Sequence, residues 1–102
     1  MATVTSKALF RGAATTTTTT TLYTVPAATT AVVTNIAVTN TGGSAYTFTL
    51  TLDGVDIHTT TAISANSTVY IDCKQVLATT KTIKGGASNI AVNFHISGVE
   101  IA

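Results

Sequence analysis

Between Ala31 and Val55 the sequence AVVTNIAVTNTGGSAYTFTLTLDGV keeps a period of two. Its first half sets Val32, Ile36 and Val38 on one face against Val33, Asn35, Ala37 and Thr39 on the other. Its second half sets Tyr46, Phe48, Leu50 and Leu52 against Ala45, Thr47, Thr49 and Thr51. Successive side chains of a strand point to opposite sheet faces, so this pattern predicts two half-buried strands. Asn40-Thr41-Gly42-Gly43-Ser44 between them tolerates positive φ or bonds its own backbone, and so reverses the chain. Asp53-Gly54 marks a second, tighter reversal, a strong hairpin signal.

Composition extends this reading to the rest of the chain. The 102 residues suit one domain with a single modest core. Charged residues are only 9%, against about 25% in an ordinary globular domain. Threonine takes their place, with 25 of the 102 residues. A β-branched hydroxyl side chain fits a pleated surface and is wet without being charged. Exposed faces are therefore expected to be hydroxyl-covered strands. So few charges leave open sheet edges poorly protected, and much of the surface is expected to be covered by copies of the chain or by another protein.

The net charge of +1 comes without a basic stripe or interleaved aromatics, which argues against nucleic-acid binding. The single cysteine, Cys73, rules out an internal disulfide framework and fits a reducing compartment. No stretch resembles an apolar leader or approaches a membrane span, so a soluble protein made in the cytoplasm is expected, with no membrane partner. The Asn66-Ser67-Thr68 sequon carries no weight in that setting.

Along the chain, residues 1–14 read as a short cationic arm (Lys7, Arg11) with one possible strand over Val4 to Phe10. Residues 1–21 are set apart as arm and linker, and residues 22–102 as the sandwich domain. Two readings fit the seven threonines Thr15 to Thr21. They form an extended linker that turns to strand at Leu22, or an edge strand that pairs with a neighbouring subunit. Pro26 ends the strand Leu22–Val25. Val55 to Thr61 follows, with Ile57 inward and Asp56 and His58 outward, then a turn at Ile63–Ser67. Thr68 to Lys74 alternates, with Val69, Ile71 and Cys73 opposite Tyr70, Asp72 and Lys74. Lys84-Gly85-Gly86 breaks a short apolar segment. A last strand from about Asn89 to Ile101 holds Ile90, Val92, Phe94 and Ile96 in phase. Val99 and Ile101 fall out of phase, which predicts a bulge at Ser97-Gly98. Seven or eight short strands predict an all-β, antiparallel, jelly-roll-like β-sandwich whose strand order is left open.

The candidates for chemistry are few. Cys73, His58, His95 and Asp72 can be written as a nucleophile grouping, but Cys73 shares its face with Val69 and Ile71 and reads as a core thiol. His58 and His95 have no third ligand at a suitable spacing, so no metal or other cofactor is expected. Asp53 serves its turn. Tyr23 and Tyr46 read as core residues with hydroxyls at the rim, whereas Tyr70 lies on a polar parity and is a candidate for a subunit contact. Gly42-Gly43 and Gly85-Gly86 read as turns, not phosphate loops.

Three series carry a resemblance: Leu22-Tyr23-Thr24-Val25-Pro26-Ala27, Thr34 to Thr41 (TNIAVTNT), and Phe48 to Val55 (FTLTLDGV). With Ile63 to Thr68 and Ser97-Gly98-Val99-Glu100, they resemble small β-sandwich virion proteins of tailed bacteriophages. The resemblance covers about residues 22–102. It implies a non-enzymatic structural role: a capsid decoration (cement) protein, or a neck, tail or fibre protein, working as a symmetric homo-oligomer, often a trimer. The major capsid protein, or tail or neck proteins, would be its partners. Lys7, Phe10 and Arg11 in the arm and Tyr70 in the sandwich are then the interface candidates. Deleting residues 1–14 should weaken attachment and leave the sandwich folded. Other classes are a carbohydrate-binding module, for which exposed aromatics are scarce, and a small hydrolase using Cys73.

Overall fold

The Asp53-Gly54 pair forms a tight hairpin in the computed structural model, which describes residues 3–102. Both residues take positive φ, 54° and 73°, the geometry that matches the twist of the flanking strands. They join β4 (Tyr46–Leu52) to β5 (Val55–Ile63). The other strands are β1 (Val4–Ala13), β2 (Thr21–Thr24), β3 (Thr30–Asn40), β6 (Ser67–Leu77), β7 (Thr82–Ala87) and β8 (Val92–Ile101). They make two four-stranded antiparallel sheets, β1-β8-β3-β6 and β2-β7-β4-β5. Among the described residues, every connection except the β4–β5 hairpin crosses from one sheet to the other. This is the jelly-roll-like sandwich expected, and it now has a strand order.

The inward faces meet in one core. Phe48 of β4 and Phe94 of β8 pack edge-to-face across the two sheets, with ring centroids 6.2 Å apart. Ile36, Val38, Leu50, Ile63, Ile83 and Ile96 are buried around them. Edge-to-face aromatic pairs add about 0.5–1.5 kcal/mol beyond the area they bury.

Several local readings are corrected by long-range pairing. Residues 4–13 are not an arm beside the sandwich. They form the edge strand β1, paired with β8 from Val4↔Ile101 to Ala13↔Asn93. Leu9 and Ala14 are buried in the core, so deleting residues 1–14 removes part of the fold. Thr15 to Thr20 are not an edge strand. Thr15 Oγ1 and Thr20 Oγ1 lie 2.6 Å apart and each bonds the Thr17 carbonyl at 3.0 Å. The run is a self-bonded turn carrying the chain from one sheet to the other, and only Thr21 belongs to a strand.

In β3, Val33 is buried and Val32 faces out, the reverse of the simple alternation, because the register shifts between Val33 and Asn35. In β8 no slip occurs at Ser97-Gly98. Val92, Phe94, Ile96 and Gly98 are all buried, one phase throughout. The irregularities lie in its two neighbours, at Leu9 of β1 and Thr34 of β3. Gly98 is required for packing: a Cβ there would collide with the Val32 carbonyl oxygen. The last strand also starts later than expected, at Val92, and Ile90 is exposed in the preceding turn.

Gly85 and Gly86 are strand residues, not a turn. A Cβ on Gly85 would stand 2.5 Å from the Thr49 oxygen, and one on Gly86 would strike the Thr17 oxygen. The close approach of neighbouring backbone explains both. His58 is half-buried rather than outward. It pairs with inward-facing Leu50 and lies on the Phe48 ring at 5.3 Å, because β5 shifts register twice along β4.

Candidate functional site

The outer face of the β1-β8-β3-β6 sheet carries three of the large exposed apolar side chains, Val4, Tyr70 and Val76. Arg11 of β1 stands opposite His95 of β8, His95 opposite Ala37 of β3, and Ala37 opposite Tyr70 of β6. These four side chains share one face as a row across the sheet, spaced about 4.8 Å per strand. Toward one end of the sheet, Val99, Val32 and Val76 form a second row, and Val4 stands beside Ile101 in a third. Tyr70 is 73% exposed and Val76 68%. The sheet therefore shows solvent an aromatic side chain and a short run of valines.

Of the four interface candidates, two share this face. Arg11 is exposed and Tyr70 is exposed in the same row. Phe10 points inward and packs against the core, since the irregularity at Leu9 turns both residues to the interior. Lys7 is engaged within the chain: its Nζ lies 3.3 Å from Glu100 Oε2. The alternation missed Val4, Val32, Val76 and Val99, because outward-facing apolar residues on a strand look like core until the inward phase is known.

Lys7 belongs to a small polar cluster at the end of the sandwich. The Tyr23 hydroxyl donates to the same Glu100 carboxylate, joining β2 of one sheet to β8 of the other. The Tyr23 bond and then Lys7 hold Glu100 below the usual carboxylate range, against the opposing effect of burial. Burial, followed by the Glu100 bond and charge, pushes the Tyr23 phenol up. A depressed carboxylate contributes its full stability above its unfolded range and loses it as pH falls through the folded value. A raised phenol contributes below its unfolded range and loses it as pH rises toward the folded value. In urea titrations from about pH 7 to about pH 3, the wild-type chain should lose about 1 kcal/mol more than Glu100→Gln. Equal slopes for the two proteins would show the cluster to be inert.

The groups considered for catalysis are not brought together. Cys73 lies on β6, His95 on the outer face of β8, and His58 against Phe48 in the other sheet. Burial, and then the Asp72 carboxylate, raise the Cys73 thiol, opposite to what an activated nucleophile needs. Among the described residues no three metal-capable side chains cluster. A cleft of about 250 Å³ opens between the sheets, lined by Leu52, Val55, Asp56, Ile57 and Gln75. Its one charged group is Asp56, which accepts from the Thr59 hydroxyl at 3.0 Å.

No protein-family model and no curated protein sequence matches this chain. Solved structures do. The chain is similar to part of the structure of infectious bursal disease virus, Gx strain, with a TM-score of 0.51 and 14% identity. That match covers 99% of this chain and 32% of the viral one. What is shared is the fold. The chain thus spans about a third of the length of that viral protein. Weaker likenesses are to the sugar-binding C-terminal domain of EclA, with a TM-score of 0.40, 16% identity, and 100% and 79% of the two chains covered. A pentameric capsid protein from metagenomic phage sequences gives a TM-score of 0.36, 18% identity, and 97% and 59% covered.

Proposed function

We propose that this chain is a non-enzymatic structural protein of a virion, a decoration protein that binds the outer shell of a capsid as a homo-oligomer. The observation that carries the reading is the outer face of the β1-β8-β3-β6 sheet. There Val4, Tyr70 and Val76 are largely exposed on a chain with only 9% charged residues. Exposed apolar side chains rimmed by hydroxyls mark a surface meant to be covered. A decoration protein works by burying such area across the joints between shell subunits, which stabilises the assembly by mass action and needs no active site. The jelly-roll-like fold shared with part of a virus structure supports the reading, as does the resemblance of residues 22–102 to phage virion proteins.

Cryo-microscopy of the particle that carries this chain tests it. Density for the sandwich on the shell, with the Arg11–Tyr70 face toward a capsid subunit, is the expected result. Density confined to the neck, tail or fibre would replace the decoration role by a tail role, and absence from the particle would end the virion reading.

A further inference from the structure

The four edge strands of the sandwich are not equally protected. β2 has only four residues and is preceded by the threonine turn, whose Thr15 and Thr20 carbonyls accept from β7. β5 shifts register twice and holds Thr60 at a φ of 47°, a conformation costly for a β-branched residue. β1 is interrupted at Leu9. Such irregularities are how sheets discourage edge-to-edge pairing. β6 carries one such irregularity, with Cys73 and Lys74 facing the single Thr34 of β3, but its own two faces stay in phase across it, Tyr70 opposite Ala37 and Val76 opposite Val32. It runs for 11 residues and alternates half-buried and exposed without a break from Ser67 through Lys74. One side of its backbone bonds to β3, and among the described residues no strand lies on the other.

The exposed face of β6 reads Tyr70, Asp72, Lys74, Val76. That order complements itself when reversed. If a second copy of β6 lies antiparallel with Cys73 opposite its own counterpart, Asp72 faces Lys74 of the other copy and Lys74 faces its Asp72. Tyr70 then faces Val76, and Val76 faces Tyr70. Both charges are free to make this contact, with side chains 86% and 80% exposed and only a long 3.8 Å approach to each other within one chain. Opposite charges and aromatic–β-branched pairs directly across an antiparallel ladder are the favourable combinations. A two-fold contact requires one surface patch to match itself in this way. In any other register that keeps the faces aligned, at least one of these pairings is lost.

We propose that β6 is a homotypic docking edge: two copies of this chain pair β6 to β6 about a two-fold axis at Cys73, joining their β1-β8-β3-β6 sheets into one continuous eight-stranded sheet. The contact extends from Val69 to Leu77 of each copy and uses backbone bonds for affinity, with Asp72, Lys74, Tyr70 and Val76 setting the register. It does not depend on the virion role, and it requires an even number of copies in any assembly built on it.

The full chain, which has Cys73 as its only cysteine, supplies its own probe. Residues directly opposite in an antiparallel pair have Cα atoms about 4.5–5.5 Å apart, within the span of a disulfide. Mild oxidation with copper–phenanthroline is expected to convert the folded protein to a covalent dimer, abolished by Cys73→Ser. Sedimentation equilibrium of the reduced protein should show reversible association. D72K and K74D, both at exposed positions, should each raise the dissociation constant about tenfold or more, because each places like charges opposite one another twice. The double variant D72K/K74D restores opposite charges and should recover wild-type association and cross-linking. A reduced protein that stays monomeric at tens of micromolar overturns the proposal. So does an oligomer that neither cross-links through Cys73 nor responds to the charge exchange, since its contact must lie elsewhere.

Discussion

A chain lacking residues 1–14 should fail to fold cooperatively. The segment looks dispensable in sequence, being short, cationic and terminal, yet it supplies a full edge of one sheet. Its loss removes the β1–β8 ladder from Val4↔Ile101 to Ala13↔Asn93. It also removes the buried side chains Leu9 and Ala14, the packed ring of Phe10, and the Lys7 partner of Glu100. The Ala14 amide, which donates to the Val92 carbonyl at 2.7 Å, goes with it, and β8 with its buried Phe94 and Ile96 becomes an edge. Burying one large apolar side chain is worth about 1.5–3 kcal/mol. Losing Leu9 and Phe10 with their strand approaches the whole stability of a domain this size, about 5–15 kcal/mol. Circular dichroism and urea titration of the truncated chain should show no sigmoidal transition. A cooperative transition near the wild-type midpoint would mean that β1 is only laid against the sheet, and the account of the core would fail.

Asn40→Ala should cost about 3 kcal/mol, a large loss for one side chain, because a buried polar network is broken without any apolar gain. Asn40 ends β3 and is fully buried. Its Nδ2 lies within 2.8–3.3 Å of the carbonyl oxygens of Ser44, Ile63 and Ser64, and its Oδ1 accepts from the Gly42 amide at 2.9 Å. One side chain thereby ties the β3–β4 turn to the β5–β6 turn, which the Asn66 amide meets again at the Gly42 carbonyl. Asn40→Asp keeps the shape but presents an oxygen to those three carbonyls, so at neutral pH it should be at least as damaging as alanine. Urea unfolding decides the point: a loss under about 1 kcal/mol for both variants would show that water replaces the network freely.

How much of this was legible beforehand differs from element to element. The β4–β5 hairpin was, because its signals are local: strict alternation from Tyr46 to Leu52 and an Asp-Gly pair able to take positive φ. The face occupied by Tyr70, Asp72 and Lys74 was also legible, since β6 alternates from Ser67 through Lys74. Asn40 was read only as part of a turn, since nothing near it in sequence announces three carbonyls from residues 44, 63 and 64. Of the interface candidates, Arg11 and Tyr70 prove to share a row, while Lys7 and Phe10 are taken up by the chain itself.

Local sequence alone determined that this chain is all strand, where it reverses, and which residues of each unbroken strand share a face. A period of two and positive-φ turn residues are properties of a few neighbours. Only the tertiary structure decided that the first strand is a sheet edge, that Val33 and not Val32 is inside, and that Gly85, Gly86 and Gly98 are glycine because foreign backbone passes where a side chain would stand. It also decided that β6 lies at an edge of its sheet. Those facts depend on which strands become neighbours, and in a fold where nearly every connection changes sheets, the partners of each strand lie far away along the chain.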